Sequence, residues 1–234
     1  IEDVVEPLLR FLVPLVLAQP VGDHQRCMEE QLPVVNGVGT LVAEVQLLDM
    51  TEALKLEPTS FAAHLNRGVA YYMKKDLASA RADFDRAIEF NPRSFAAHYE
   101  RGMLRRDGGD LVGAIDDFTS AARENPKHAE SIFQRGCIWH RLGRMDYAFL
   151  SFDRAVSVQA RHAYAPYWRG LCLEEQGDTR AAFSDFCRAI ALAPFFADAW
   201  NARARVRLFH GDLAGTIADA TAAGVVGSPG SAFS

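Results

Sequence analysis

Seven histidines, four cysteines and 30 acidic side chains give this chain the raw material for several kinds of chemistry, and their spacing narrows the choice. Acid–base catalysis needs two carboxyls converging on one bond. Asp116-Asp117 and Glu174-Glu175 are adjacent in sequence, which on a helix turns their side chains about 100 degrees apart, so they read as solvated helix faces. His64 and His98 stand a fixed step apart with no thiol or carboxylate at ligand spacing, which argues for packing residues and against a metal. Asp107 and Asp110 flank two glycines as in a calcium loop, but the alternating ligands and closing glutamate are missing, so a turn is expected. Cys27, Cys137, Cys172 and Cys187 form no C-x-x-C pair and read as ordinary core or groove thiols of a reducing compartment, with neither a zinc site nor a disulfide framework expected. The phosphate-binding loop, the nucleophile elbow and the H-E-x-x-H zinc signature are absent. The expectation is a non-enzymatic protein with no metal and no cofactor.

The residues that do recur keep one step. Gly68, Gly102, Gly136 and Gly170 lie 34 residues apart, each preceded by arginine: Arg67, Arg101, Arg135 and Arg169. A fifth copy reads Arg203-Ala204. In the same register come Ala80, Ala114, Ala148 and Ala182, then Phe84, Phe118, Phe152 and Phe186, then Ala87, Ala121, Ala155, Ala189 and Ala223. Spacings of four and three between these small and large residues mark the buried face of a helix. Pro58, Pro92, Pro126 and Pro194 stop the copies, because proline lacks the N–H a helix needs; Ala160 is the departure. Asp83, Asp117, Asp185 and Asp219 recur beside the phenylalanine column, with Ser151 in the third copy. They predict bidentate arginine–aspartate pairs between helices in four of the copies.

These columns resemble the tetratricopeptide repeat family, whose 34-residue unit is a pair of antiparallel helices. The resemblance covers residues 61–224, with units starting near 61, 95, 129, 163 and 197. It implies an all-α fold, a right-handed superhelical solenoid of five hairpins plus a partial one. In the second copy the first helix should run from Phe95 to Asp107, with Gly102 admitting a close neighbour. Residues 41–58 read as the second helix of a partial repeat. Residues 1–40 are of uncertain structure, with Val4 to Ala18 expected as a short apolar helix, and the glycine- and serine-rich 225–234 as a flexible tail. In the fifth copy Thr216 and Ala220 replace alanine and phenylalanine, so a weak terminal cap is expected there.

The resemblance also implies where a ligand would sit. Family members line a concave surface with the second, fifth, ninth, twelfth and thirteenth residues of each unit. Carried over, the fifth places hold Leu65, Tyr99, Phe133 and Tyr167; the ninth hold Met103, Cys137, Leu171 and Arg205; and Arg106, His140, Arg141 and Glu174 stand at the groove edge. The edge is mixed in sign, positive in the middle units and negative in the fourth, and the apolar, aromatic ladder suits an amphipathic helix or apolar peptide of another protein. Leu65 and Val69 occupy the places where the chaperone-tail-binding subset carries lysine and asparagine, so that activity is not expected. The alternatives are a regulatory or targeting arm of a larger, enzymatic protein, occupation of the groove by the N-terminal segment, and a self-associating array.

Composition agrees with a globular, repeat-built protein: 49% hydrophobic and 24% charged, net charge −5. The basic residues are scattered, so no phosphate-tracking stripe points to nucleic acid. The run 8–18 is apolar and ends like a signal-peptidase site, but acids precede it where basic residues belong. Arg10 and Pro14 interrupt it short of a membrane span, so a membrane partner is not expected and a cytoplasmic location is.

Overall fold

The computed structural model describes residues 37–226; the N-terminal apolar segment and most of the tail lie outside the described residues. All eleven described elements are helices. Two compact units divide at Leu142 and Gly143.

In the first unit, α1 (Gly37–Leu56) packs on the hairpin α2 (Phe61–Met73) and α3 (Leu77–Phe90). The hairpin α4 (Phe95–Asp107) and α5 (Leu111–Glu124) follows, and then α6 (Ala129–Arg141). Helix α1 begins four residues before the expected Leu41, with Gly37 and Gly39 in its first turn. The second unit holds α7 (Met145–Val158), the hairpin α8 (Ala165–Glu175) and α9 (Thr179–Leu192), and the hairpin α10 (Ala197–Phe209) and α11 (Leu213–Val226).

Three of the hairpins are closed by one size match. A Cβ on Gly68 would stand 2.7 Å from the Phe84 ring, one on Gly102 2.9 Å from Phe118, and one on Gly170 2.7 Å from Phe186. These rings are fully buried, as are the alanines a turn away on the same helices. Phenylalanine on the second helix therefore requires glycine on the first. Where the fifth copy has Ala220 instead of phenylalanine, Ala204 is accepted opposite it and is itself fully buried.

The turns repeat as well. Gly109, Gly143, Gly177 and Gly211 take φ of +69° to +84°, the left-handed region that ends a helix sharply. Lys75 holds the same place in the first hairpin at φ +62°. An aspartate follows as N-cap: Asp76, Asp110, Asp178 and Asp212 each accept from the backbone N–H three residues on. Arg144 stands in that column at the start of α7 and provides no cap. Helix α8 starts at Ala165, two residues later than the period predicts. With Ala160 in place of proline, the chain turns through His162, whose Nδ1 accepts from the Ala165 N–H at 3.0 Å, and Pro166 sits in the first helical turn.

Candidate functional site

The recurring arginines are cross-helix staples, not a ladder facing a ligand. Arg67, Arg101, Arg169 and Arg203 each fork onto Asp83, Asp117, Asp185 and Asp219 of their own hairpin, with Nε and Nη2 at 2.6–2.9 Å from the two carboxylate oxygens. The predicted pairs form in all four copies. The free edge of the guanidinium turns in later copies to the second helix before it: Arg101 Nη1 donates to Asp85 and Arg169 Nη1 to Asp153, both at 2.7 Å. Arg203 Nη1 lies 3.4 Å from Cys187 Sγ and Arg135 Nη1 3.5 Å from Thr119 Oγ1. This second contact escapes a reading of the sequence because its column runs Asp, Thr, Asp, Cys. Hydrogen bonds to Asp185 and Asp219 hold Arg169 and Arg203 above the ordinary arginine range.

Asp117 gathers most. Besides Arg101 it receives Arg105 Nη1 at 2.9 Å and lies 3.4 Å from His98 Nδ1. Burial alone would push its carboxyl up, but the bonds from His98 and Arg101 and the charges of Arg101 and Arg105 outweigh this and hold it below its usual value. His64 and His98 are packing residues, as expected: each ring bridges the hairpin's aspartate and a proline carbonyl, Pro58 or Pro92, six residues before it. Trp200 Nε1 makes the same bond to the Pro194 carbonyl at 2.9 Å.

On the first-helix face of the first unit, Leu65 and Tyr99 are half-buried. Leu65 lies with Val69, Tyr71 and Tyr72 over Ala80, Phe84 and Leu104. Tyr99 lies over the cluster of Met103, Ala114, Phe118 and Ile138, its ring 5.0 Å from that of His128. Burial pushes the Tyr99 hydroxyl above its usual range and the His128 ring below it. Met103 is buried in that cluster and Phe133 is 2% exposed.

Arg106, expected to offer positive charge, is 1% exposed. Its Nε and Nη2 donate to Asp107 and its Nη1 to Gln134 Oε1 at 2.7 Å; Gln134 in turn donates to Glu130. The Tyr72 hydroxyl donates to Asp107 as well. One polar chain thus runs Tyr72, Asp107, Arg106, Gln134, Glu130 across α2, α4 and α6. Neither Tyr72 nor Gln134 stands out in the sequence, since nothing in one copy predicts which residue of the next it meets. His140 is buried and Arg141 exposed. Cys137 is buried. Cys172 and Cys187 are free, and burial pushes the Cys172 thiol up to about 12.

In the second unit Tyr167 is 2% exposed and Leu171 is buried. The Tyr167 ring packs edge-on against Phe196 at 4.7 Å and Trp168 at 5.5 Å. Glu174 takes Arg205 Nη2 at 2.8 Å, so these two edge charges satisfy each other. A cleft of about 370 Å³ opens between α9 and α10, where the Arg207 guanidinium sits 5.8 Å from the Phe183 ring and holds Asp219 at 3.0 Å. Among the described residues no three His, Cys, Asp or Glu side chains come together as metal ligands would, and no helix is long and apolar enough to cross a membrane.

A tetratricopeptide repeat profile matches residues 61–94, and a second matches 78–129, 99–166 and 141–195. No curated protein matches the chain by sequence. Among solved structures, YrrB, a tetratricopeptide repeat protein with an unusual peptide-binding site, superposes with a TM-score of 0.66 at 20% identity, over 77% of this chain and 93% of that one. PilF of Pseudomonas aeruginosa gives 0.71 at 13% identity, over 84% and 90%. A MamA fragment from Desulfovibrio magneticus RS-1 gives 0.64 at 14%, over 71% and 94%. At such identities these likenesses speak for the fold alone. The profiles fall in step with the glycine–phenylalanine hairpins, and the second of them spans half of the sequence: this chain belongs to the tetratricopeptide repeat family.

Proposed function

We propose that this protein is a non-enzymatic interaction scaffold that holds a segment of a partner protein, an amphipathic helix or an apolar peptide, on the face made by its first helices. The observation that carries this reading is the half-open strip of Leu65, Val69, Tyr72 and Tyr99, laid by α2 and α4 over a close-packed core. Aromatic side chains already fixed by packing lose little entropy on binding and make good anchors. Beneath Tyr99, Met103 forms part of the floor, and Arg106 joins α4 to α6 through Gln134. YrrB, which shares the fold, has a peptide-binding site, and this chain is read in the same class.

Selection from a random peptide display library against the full chain tests the reading. Retained peptides should bind Tyr99→Ala about 30-fold more weakly, on the order of 2 kcal/mol for one anchor. Undiminished binding to Tyr99→Ala and Leu65→Ala variants, with folding checked by circular dichroism, would refute this face. Self-association is a second reading, favoured by Phe195 and Phe209 at 71% and 76% exposure and by the exposed Val225. Sedimentation across a concentration series tests it, and a strictly monomeric chain removes it.

A further inference from the structure

The two interfaces between first helices in the 37–142 unit are related by the repeat: Tyr72 and Glu100 at α2/α4 correspond to Arg106 and Gln134 at α4/α6. At α4/α6 the seat is filled. Arg106 donates to Gln134 Oε1 at 2.7 Å, and both side chains are closed off from solvent. At α2/α4 the tyrosine that replaces the arginine turns its hydroxyl to Asp107 instead. Glu100 is left as a half-buried carboxyl that receives no hydrogen bond and no cation among the described residues. By the repeat it stands across from Tyr72 as Gln134 stands across from Arg106, and it is next in sequence to Tyr99.

We propose that the seat formed by Glu100, Tyr72 and Tyr99 takes a lysine or arginine side chain of the bound segment, so that the partner presents a basic residue among its apolar anchors. A cation there meets a carboxylate that has no other partner among the described residues, a pairing that gains strength when water is displaced. The chain shows the complement itself, since one repeat further on the corresponding place is occupied by the Arg106 guanidinium. The bound state would relieve a cost present in the free one: burial without a partner pushes the Glu100 carboxyl up to about 7. Of the edge charges expected from sequence, Arg106 is tied to Asp107, whereas Glu100, which is not among them, is a carboxyl without a partner among the described residues.

This inference rests on the peptide-binding reading and names the chemistry of its ligand. The same display library is selected against the wild-type chain and against Glu100→Gln, a variant expected to fold because Gln134 already occupies the corresponding place. Wild type should enrich lysine or arginine at one position of the retained peptides. Glu100→Gln should lose that enrichment and bind a selected basic peptide about tenfold or more weakly. Retained peptides without basic enrichment, or an enrichment that Glu100→Gln keeps, overturn this inference and leave the scaffold reading standing. A library from which nothing is retained overturns both.

Discussion

Glu100 and Asp117 lie on neighbouring elements of one hairpin, and their surroundings drive them in opposite directions. Asp117 is surrounded by donors, so its charged form is the stable one; Glu100 has none, so its charged form is the costly one. For Glu100 the folded value of about 7 stands above the value of about 4.3 in an unfolded chain. Stability from the neutral carboxyl is therefore fully present below pH ~4.3 and is lost as pH rises through about 7. The Glu100→Gln variant carries no such charge. It should melt close to wild type at pH 4.5 and above it at pH 8, by on the order of 1 kcal/mol or about 2–4 °C. The bound is modest because the side chain keeps some contact with water. Thermal melts at the two pH values decide the matter, and a difference that does not change with pH would mean that Glu100 already has a partner.

At the scale of the helix, each repeat column carries one task, and departures from a column are where local stability is set. Arg144 occupies the cap column with backbone angles of φ −95° and ψ 70°, close to the −82° and 70° of Asp178. An aspartate there would accept from the open N–H groups of α7 and put a negative charge at the positive end of the helix. Against that stands the loss of the Arg144 guanidinium from the Tyr147 ring, 5.5 Å away. Arg144→Asp should therefore raise the melting temperature by about 2–4 °C, for roughly 1 kcal/mol net; an unchanged or lower value would show that α7 does not use its cap. The columns also explain which features are legible in the sequence. The bounds of α4, the glycine against Phe118 and the Arg101–Asp117 fork follow from spacing, because each belongs to one hairpin and recurs in most of the copies. The Arg106–Gln134 bond, the Tyr72–Asp107 bond and the late start of α8 join residues that no column repeats. The burial of Phe133 and Tyr167 is not legible either, since an aromatic residue at helical spacing looks alike whether it faces a ligand or a neighbour.

For the molecule as a whole, the repeat dictates how stability is shared. Three hairpins carry both a glycine–phenylalanine closure and an arginine fork of their own, the last carries the fork alone, and the free edge of the Arg101 and Arg169 forks reaches one helix back. Coupling built this way is short-ranged, so a repeat chain behaves as a row of units that each feel their neighbours. A defect in one hairpin should then loosen that hairpin and the next while leaving distant ones intact. Gly170→Ala supplies such a defect, because its Cβ would stand 2.7 Å from the ring of Phe186, which has no room to retreat. A cost of about 1–3 kcal/mol is expected from the overpacking. Hydrogen exchange followed by mass spectrometry should show faster exchange in α8 and α9, a smaller rise in α7 and α10, and no change in α2 to α5. Equal acceleration in every helix would instead mean that the chain unfolds as one cooperative body, and that its stability belongs to the molecule and not to its hairpins.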